Sequence, residues 1–201
     1  MKTKLFTIIT MLVLVGGVTG TTLASTNNNN NAATVIAGAN KINKIEIHGN
    51  VELYVSTGTA DQVKVYNKYY GENALVQNEN GVLRVSSYKT EKLVVWVTAN
   101  DLRAVSAYDN AQVKSFGNLS AIDLEVNLYN NATAKLNLDA YAANVNVNDH
   151  AKIDLAGNAT VYNLNHSLNS SVNNNNFVAA TYTDTLNGMD KKTIVDELAV
   201  L

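Results

Sequence analysis

Cysteine and proline are both absent from this chain of 201 residues. Without cysteine there is no disulfide, no cysteine-ligated zinc and no acylated cysteine of the lipoprotein kind. Without proline, every residue of a strand keeps the backbone N–H that a sheet ladder needs, which favours a fold made of strands. A packed core, rather than crosslinks, must therefore hold the fold together.

Charge is scarce as well. The chain has 15 Lys and Arg against 17 Asp and Glu, and no basic run is longer than Lys191-Lys192. Nucleic-acid recognition needs cations clustered against phosphates, so no nucleic acid partner is expected. Because asparagine is abundant, the surface is expected to be polar and mainly neutral.

The long apolar run of the chain is at its N-terminus. Leu5 to Val15 follows the basic start Met1–Lys4, and the segment ends in a small residue, Ala24. This pattern predicts a secretory signal over residues 1–24; a transmembrane anchor is the alternative, but the run is short for a span. We expect an exported protein in the periplasm, at the cell surface or outside the cell, with no membrane span after cleavage.

The rest of the chain divides into three parts. Residues 25–40 include five consecutive asparagines and predict a solvated linker. Residues 41–180 carry regular apolar alternation and predict the folded domain. Residues 181–201 have two interpretations, a short capping helix near the C-terminus or a loose tail.

Short alternating segments dominate the folded domain before residue 100. Apolar residues alternate with polar ones on both sides of Gly49-Asn50, where a bend or bulge is expected. Asn80-Gly81 predicts a hairpin turn, because both residues tolerate positive φ. Leu93–Val97 is apolar almost throughout and predicts a central strand.

An imperfect repeat follows in the second half. Tyr108-Asp109-Asn110-Ala111, Tyr129-Asn130-Asn131-Ala132 and Asn148-Asp149-His150-Ala151 recur at steps of 21 and 19 residues, each followed by apolar alternation. A period near 20 is typical of a solenoid whose coils stack their strands edge to edge. The predicted fold is all-β: a right-handed parallel β-helix-like solenoid with coils of about 20 residues and a less regular β N-terminal part.

The segment Asn43–Tyr54, together with the later Gly-Asn and Asn-Ala repeats, resembles the bacterial family named putative auto-transporter adhesin, head GIN domain. The resemblance covers roughly residues 41–180. It implies a β-helical or closely related all-β fold, an exported protein and a role in adhesion. It supplies no catalytic residues to carry over.

Stacking the repeats in register places Asp109, Asn130 and Asp149 above one another. Such an oxygen ladder is open to two interpretations, a calcium site or a ladder that satisfies the amides of the corners. Two carboxylates are few for calcium, and the Gly-rich calcium repeat is missing. The amide ladder is therefore favoured.

Tyr108 and Tyr129 also fall in register, and with Tyr88, Trp96 and Tyr141 they would form an aromatic strip. Aromatic rings and neutral amides suit uncharged glycans, whose CH groups pack on rings and whose hydroxyls bond amides. The alternative is that these tyrosines only cover the edge of the core. The candidate ligand-binding residues are Tyr108, Tyr129, Asn130 and Asp149.

Catalysis is not expected. Glycoside hydrolases and lyases need paired carboxylates, or a carboxylate with a metal and a base. The candidate groups are spread along the chain, mostly at outward strand positions, and show no cluster. They are Asp101, Asp109, Asp123, Asp139, Asp149 and Asp154 as acids, and Arg103, Lys114, Lys135 and Lys152 as bases.

The three histidines, His48, His150 and His166, form no recognisable metal motif, and no metal or cofactor is expected. The sequence therefore predicts an exported, noncatalytic binding or adhesion module of the bacterial envelope, with a glycan or surface protein as partner. A carbohydrate-active enzyme on a β-helix is the first alternative, and a structural envelope scaffold is the second.

Overall fold

The computed structural model describes residues 33–36, 41–66, 75–187 and 192–195. Within these ranges the secondary structure is all strand, and the strands join in one 14-stranded curled sheet. The all-β class is confirmed. The strands are β1 (Ala33–Val35), β2 (Lys44–Gly49), β3 (Val51–Thr57), β4 (Gln62–Tyr66), β5 (Leu75–Glu79), β6 (Val82–Ser87), β7 (Leu93–Ala99), β8 (Ala104–Ala107), β9 (Gln112–Ser115), β10 (Leu119–Leu128), β11 (Thr133–Val147), β12 (Lys152–His166), β13 (Ser171–Leu186) and β14 (Lys192–Val195).

Residues that pair on neighbouring parallel strands are separated by the same number of positions as the sequence repeats. Ala104 of β8 pairs with Glu125 of β10, Glu125 with Asn144 of β11, and Asn144 with Asn163 of β12. The successive offsets are 21, 19 and 19 residues. Each turn of the chain thus returns beside the strand it left one period earlier. The right-handed parallel β-helix-like solenoid stays a prediction.

The N-terminal part is less regular, as the sequence predicts. β4 pairs with β7 and β5 pairs with β6 in antiparallel fashion, whereas β2 and β3 pair with parallel neighbours. The β5–β6 hairpin turns at Asn80 and Gly81, whose φ values are 52° and 83°. These positive angles fit a type I′ turn, which matches the twist of the strands.

Strands also occupy segments that the sequence pattern predicts as linker and tail. Ala33–Val35, inside the predicted linker, pairs with β4, and β13 runs past residue 180 to Leu186. Lys192–Val195 pairs with β13 as an antiparallel strand, where the apolar spacing favours a helix or tail. At the edges of the sheet, β4 and β13 supply backbone hydrogen-bond partners to these two segments, and this pairing outweighs the local preference of each segment for another structure. The predicted signal segment, 1–24, lies outside the described residues.

The core lies on one side of this curled sheet. Inward positions alternate with outward ones along the strands, so Val, Leu and Ile side chains from all coils are buried together. Corner alanines, such as Ala111 and Ala132, are buried as well. Among the described residues the buried polar side chains are Ser87 and Ser106. In the described ranges there is no helix long and apolar enough to span a membrane.

Candidate binding surfaces

Each sequence repeat forms a four-residue corner turn. In the turns that end at Ala111, Ala132 and Ala151, the alanine N–H donates to the carbonyl of the first residue, at 3.1, 3.1 and 3.0 Å. Asn and Asp tolerate the left-handed conformation that the second position adopts. The φ values there are 61° for Asp109, 58° for Asn130 and 55° for Asp149.

The corner side chains bond the coil beside them. Asp149 Oδ2 accepts the N–H of Asn130 at 2.8 Å, and Asn130 Oδ1 accepts the N–H of Asp109 at 3.1 Å. Asp109 Oδ2 accepts the N–H of Gly49, also at 3.1 Å. These oxygens satisfy backbone amides of the corners, as the favoured interpretation requires. No three His, Asp or Glu side chains in the described part of the chain are grouped so that they could hold a metal ion.

Aromatic rings stack beside this ladder. His48 and Tyr108 have ring centroids 4.3 Å apart, and Tyr108 and Tyr129 have centroids 4.8 Å apart, with interplanar angles of 1° and 4°. Burial, and then the neighbouring Tyr108, raise the pKa of Tyr129. Both faces of the Tyr108 ring are covered, so a ligand reaches its edge and hydroxyl rather than its π-face. His48 was not predicted here, although His48-Gly49-Asn50 precedes Val51 as Tyr108-Asp109-Asn110 precedes Ala111.

Columns of asparagine run across the outer side of the same strands. Asn146 Nδ2 donates to Asn127 Oδ1 at 2.8 Å, and Asn163 Nδ2 donates to Asn144 Oδ1 at 2.9 Å. Each amide both donates and accepts, so equal residues on successive coils can bond. The result is a hydrogen-bonding surface made mainly of amides, which we call the amide face. It meets carboxylates at one border, because Asn144 Nδ2 donates to Asp123 and Asn127 Nδ2 donates to Glu125, both at 3.0 Å. It consists of Asn127, Asn144, Asn146, Asn163, Tyr108 and Tyr129.

A groove of about 1020 Å³ adjoins the amide face. Asp101 and Arg103 enter it from the β7–β8 loop, Asp123 and Glu125 from β10, and Asp139 from β11. Arg103 Nη2 lies 2.6 Å from Asp101 Oδ2, and this hydrogen bond lowers the pKa of Asp101. The acids that look scattered in the sequence are thus brought together, because positions about one coil apart become neighbours.

Trp96 belongs to a different surface from Tyr108 and Tyr129. It lies on β7 and stacks on Tyr54 of β3, with centroids 4.8 Å apart. Phe116 and Tyr66 complete the cluster, with centroids 5.1 and 6.2 Å from Trp96. The predicted single aromatic strip is therefore at least two clusters, built on separate sets of strands.

Comparison with known proteins identifies the family. The model of the family described as putative auto-transporter adhesin, head GIN domain, matches residues 41–195. The chain belongs to the head GIN domain family. This description names an adhesin and no enzyme activity. No curated protein matches the sequence.

Several solved structures share the fold of this head GIN domain. A putative adhesin from Bacteroides fragilis NCTC 9343 has a TM-score of 0.69 and 16% identity, over 77% of this chain and 75% of its own. One from Parabacteroides merdae ATCC 43184 has a TM-score of 0.63 and 15% identity, over 79% and 78%. A putative lipid binding protein from Parabacteroides distasonis ATCC 8503 has a TM-score of 0.57 and 12% identity, over 79% of both chains. Identities this low establish similarity of fold alone.

Proposed function

We propose that this head GIN domain is an exported, noncatalytic adhesion module that binds a neutral or weakly charged glycan through its amide face. The family description supports adhesion. The N-terminal sequence supports export, because a basic start precedes a short apolar run and a small residue. The coiled stack supports the proposal physically, since it repeats one set of outward side chains along a rigid surface.

The observation that carries the glycan assignment is the pair of hydrogen-bonded asparagine columns beside two tyrosines. Sugar hydroxyls donate and accept, and so do side-chain amides. The amides are already oriented by their neighbours at 2.8 and 2.9 Å, so little side-chain entropy is lost when a ligand binds. Tyr108 and Tyr129 add ring edges and hydroxyls at the border of this surface.

A glycan array probed with the purified protein tests the proposal. We expect retained, chemically unchanged glycans, and a loss of signal in the Tyr108→Ala/Tyr129→Ala double variant. Tyr129→Phe keeps the ring stack and removes one hydroxyl. Loss of one hydrogen bond to the glycan, about 1 kcal/mol, should weaken glycan binding by this variant roughly fivefold. Tyr141→Ala is the matched control, because Tyr141 is 62% exposed and lies outside the amide face. Unchanged binding in the double variant would exclude this surface.

The acidic groove favours a second candidate function, a carbohydrate-active enzyme. It gathers Asp101, Asp123, Glu125 and Asp139, and glycoside hydrolysis uses two carboxylates that flank the scissile bond. A reducing-end assay on every glycan hit separates the two functions. Released fragments that disappear in Asp123→Asn would establish the enzyme and overturn the noncatalytic proposal. If no glycan binds at all, the structural scaffold becomes the better interpretation.

A further inference from the structure

One row of outward side chains crosses five neighbouring strands, from β4 in the N-terminal part to β11 in the repeat region. Lys64 of β4 is in register with Trp96 of β7, and Trp96 with Tyr54 of β3. Tyr54 is in register with Lys114 of β9, and Lys114 with Lys135 of β11. Neighbouring strands lie about 4.8 Å apart, so the row extends for roughly 19 Å across the sheet. It places aromatic rings between lysines.

Two exposed rings flank this row. Phe116, beside Trp96, is 61% exposed, and Tyr66 is 38% exposed, whereas Trp96 and Tyr54 in the row itself are half-buried. The Lys114 ammonium lies 5.4 Å from the centre of the Tyr54 ring, within the range of a cation–π contact. We call this surface the aromatic–lysine face. It consists of Tyr54, Tyr66, Trp96, Phe116, Lys64, Lys92, Lys114 and Lys135.

Cations outnumber acids on this face, although the whole chain has a formal net charge of −2. Glu52 lies between two of the lysines: its Oε1 is 2.5 Å from Lys114 Nζ and its Oε2 is 3.4 Å from Lys92 Nζ. One carboxylate therefore serves two ammonium groups. Lys135 is 77% exposed and lies 3.8 Å from Asp154, a loose pair that leaves it open to another anion.

We propose that the aromatic–lysine face binds a linear acidic polysaccharide of the polyuronate class. The CH faces of its sugar rings would pack on Phe116 and Trp96, and its carboxylates would pair with Lys114 and Lys135. The excess of lysines favours an anionic ligand, and their arrangement in a row favours a linear polymer with repeated charges. An anionic membrane is planar, so it would not require its cationic contacts to lie along one line. This site is separate from the amide face, and the proposal stands independently of the function assigned to that face.

Biolayer interferometry with immobilised polygalacturonate tests the proposal, with dextran as the neutral polymer. We expect binding to polygalacturonate that weakens as salt rises, and clearly weaker binding to dextran. Lys114→Gln/Lys135→Gln should bind polygalacturonate roughly tenfold less tightly, if each cation contributes somewhat under 1 kcal/mol. Lys44→Gln is the matched control, since Lys44 pairs with Glu46 and is 41% exposed, against 40% for Lys114.

Two further variants keep the result interpretable. Lys135→Gln alone changes a highly exposed side chain, and Phe116→Ala removes an exposed ring, so both should fold and both should weaken binding. Equal binding of dextran, or equal losses in Lys44→Gln and the double variant, would overturn the proposal. So would no binding to polygalacturonate, or binding to phosphatidylcholine–phosphatidylglycerol vesicles in its place.

Discussion

The amide face and the aromatic–lysine face are built on one core but held by different interactions. Across the amide face, amides from successive coils bond each other directly, as Asn146 does with Asn127. Across the aromatic–lysine face, the bonds join unlike groups: Tyr54 Oη donates to Glu52, and Lys114 and Lys92 approach the same carboxylate. The first surface repeats one residue type, and the second combines several.

The difference follows from which side chains tolerate an identical neighbour about 4.8 Å away. An amide both donates and accepts, so asparagine can be repeated on every coil. Lysine repeated in that way repels itself unless an acid lies near each ammonium group. Lys114 and Lys135 are such neighbours, and they pair with Glu52 and Asp154 respectively. A regular coil repeat therefore allows a surface made mainly of amides, whereas strands from unrelated segments can combine cations with rings. The predictions below test how far the two regions differ.

The largest effect is expected from alanine at two glycines, one in each region. A Cβ at Gly49 would overlap the carbonyl oxygen of Ser87, and one at Gly157 would overlap the carbonyl oxygen of Leu138. Their φ values are 79° and 101°, which also disfavour any side chain. We expect Gly49→Ala and Gly157→Ala each to lower the free energy of unfolding by more than about 3 kcal/mol, measured by urea denaturation.

Gly117→Ala is the control for this comparison. Gly117 has a φ of 76°, but nothing lies within 4 Å of its added Cβ, so only the conformational cost of about 1–2 kcal/mol should appear. Hydrogen exchange on the two damaging variants then shows whether the regions unfold together. Protection lost everywhere in both variants indicates one cooperative core, whereas loss confined to one region separates them. Equal effects of all three substitutions would contradict the steric argument.

A smaller effect is expected at the corner ladder under the amide face. Asn130→Ala removes the acceptor for the Asp109 N–H. It also puts alanine, which tolerates the left-handed conformation less well than asparagine, at a φ of 58°. We expect a loss of about 1–2 kcal/mol in thermal or urea unfolding. Asn130→Gly keeps the conformation and loses the acceptor, so it should cost less. If glycine costs as much as alanine, the lost hydrogen bond rather than the backbone angle limits this corner.

Much of the regular region could be predicted from the sequence. The repeated corner at Asp109, Asn130 and Asp149 identifies both the coil length and the in-register stacking, because one residue type must meet its equivalent on the next coil. The C-terminal strand over Lys192–Val195 was not predicted. Its spacing also fits a helix, and the hydrogen-bond partners on β13 are a tertiary contribution that the local pattern does not contain.

The candidate sites were predicted only in part. Tyr108 and Tyr129 stack because they occupy equal positions of a visible repeat. The row through Trp96, Tyr54 and Lys114 has no such repeat, since its strands are neighbours through a crossover order that alternation alone does not reveal. Outward positions could be assigned to each residue separately, but not their adjacency. The acidic groove escaped prediction for the same reason.

The smallest predicted effect is acid sensitivity confined to the N-terminal part. The hydrogen bond from Lys44 lowers the pKa of Glu46. Burial alone would raise the pKa of Glu52, but hydrogen bonds from Lys114 and Tyr54 outweigh it, so this pKa is also lowered from 4.5. Folding therefore favours the charged carboxylates, and the stabilisation is present above the unfolded value of 4.5. It is lost as pH falls through the lower folded pKa values.

Solvent screening limits each carboxylate to less than about 1 kcal/mol, so hydrogen exchange is a better measure than global unfolding. Between pH 7 and about pH 3, protection should fall first in β2 and β3. In β11 and β12 the bonded pair Asn163–Asn144 does not itself titrate, and it contacts a carboxylate through the hydrogen bond from Asn144 to Asp123. The Glu46→Gln/Glu52→Gln variant should flatten this dependence in the N-terminal part alone. Two results would contradict this prediction: an equal fall of protection in both regions, or a variant whose protection depends on pH as in the wild type. Either would mean that charge pairing does not make the N-terminal part more sensitive to acid.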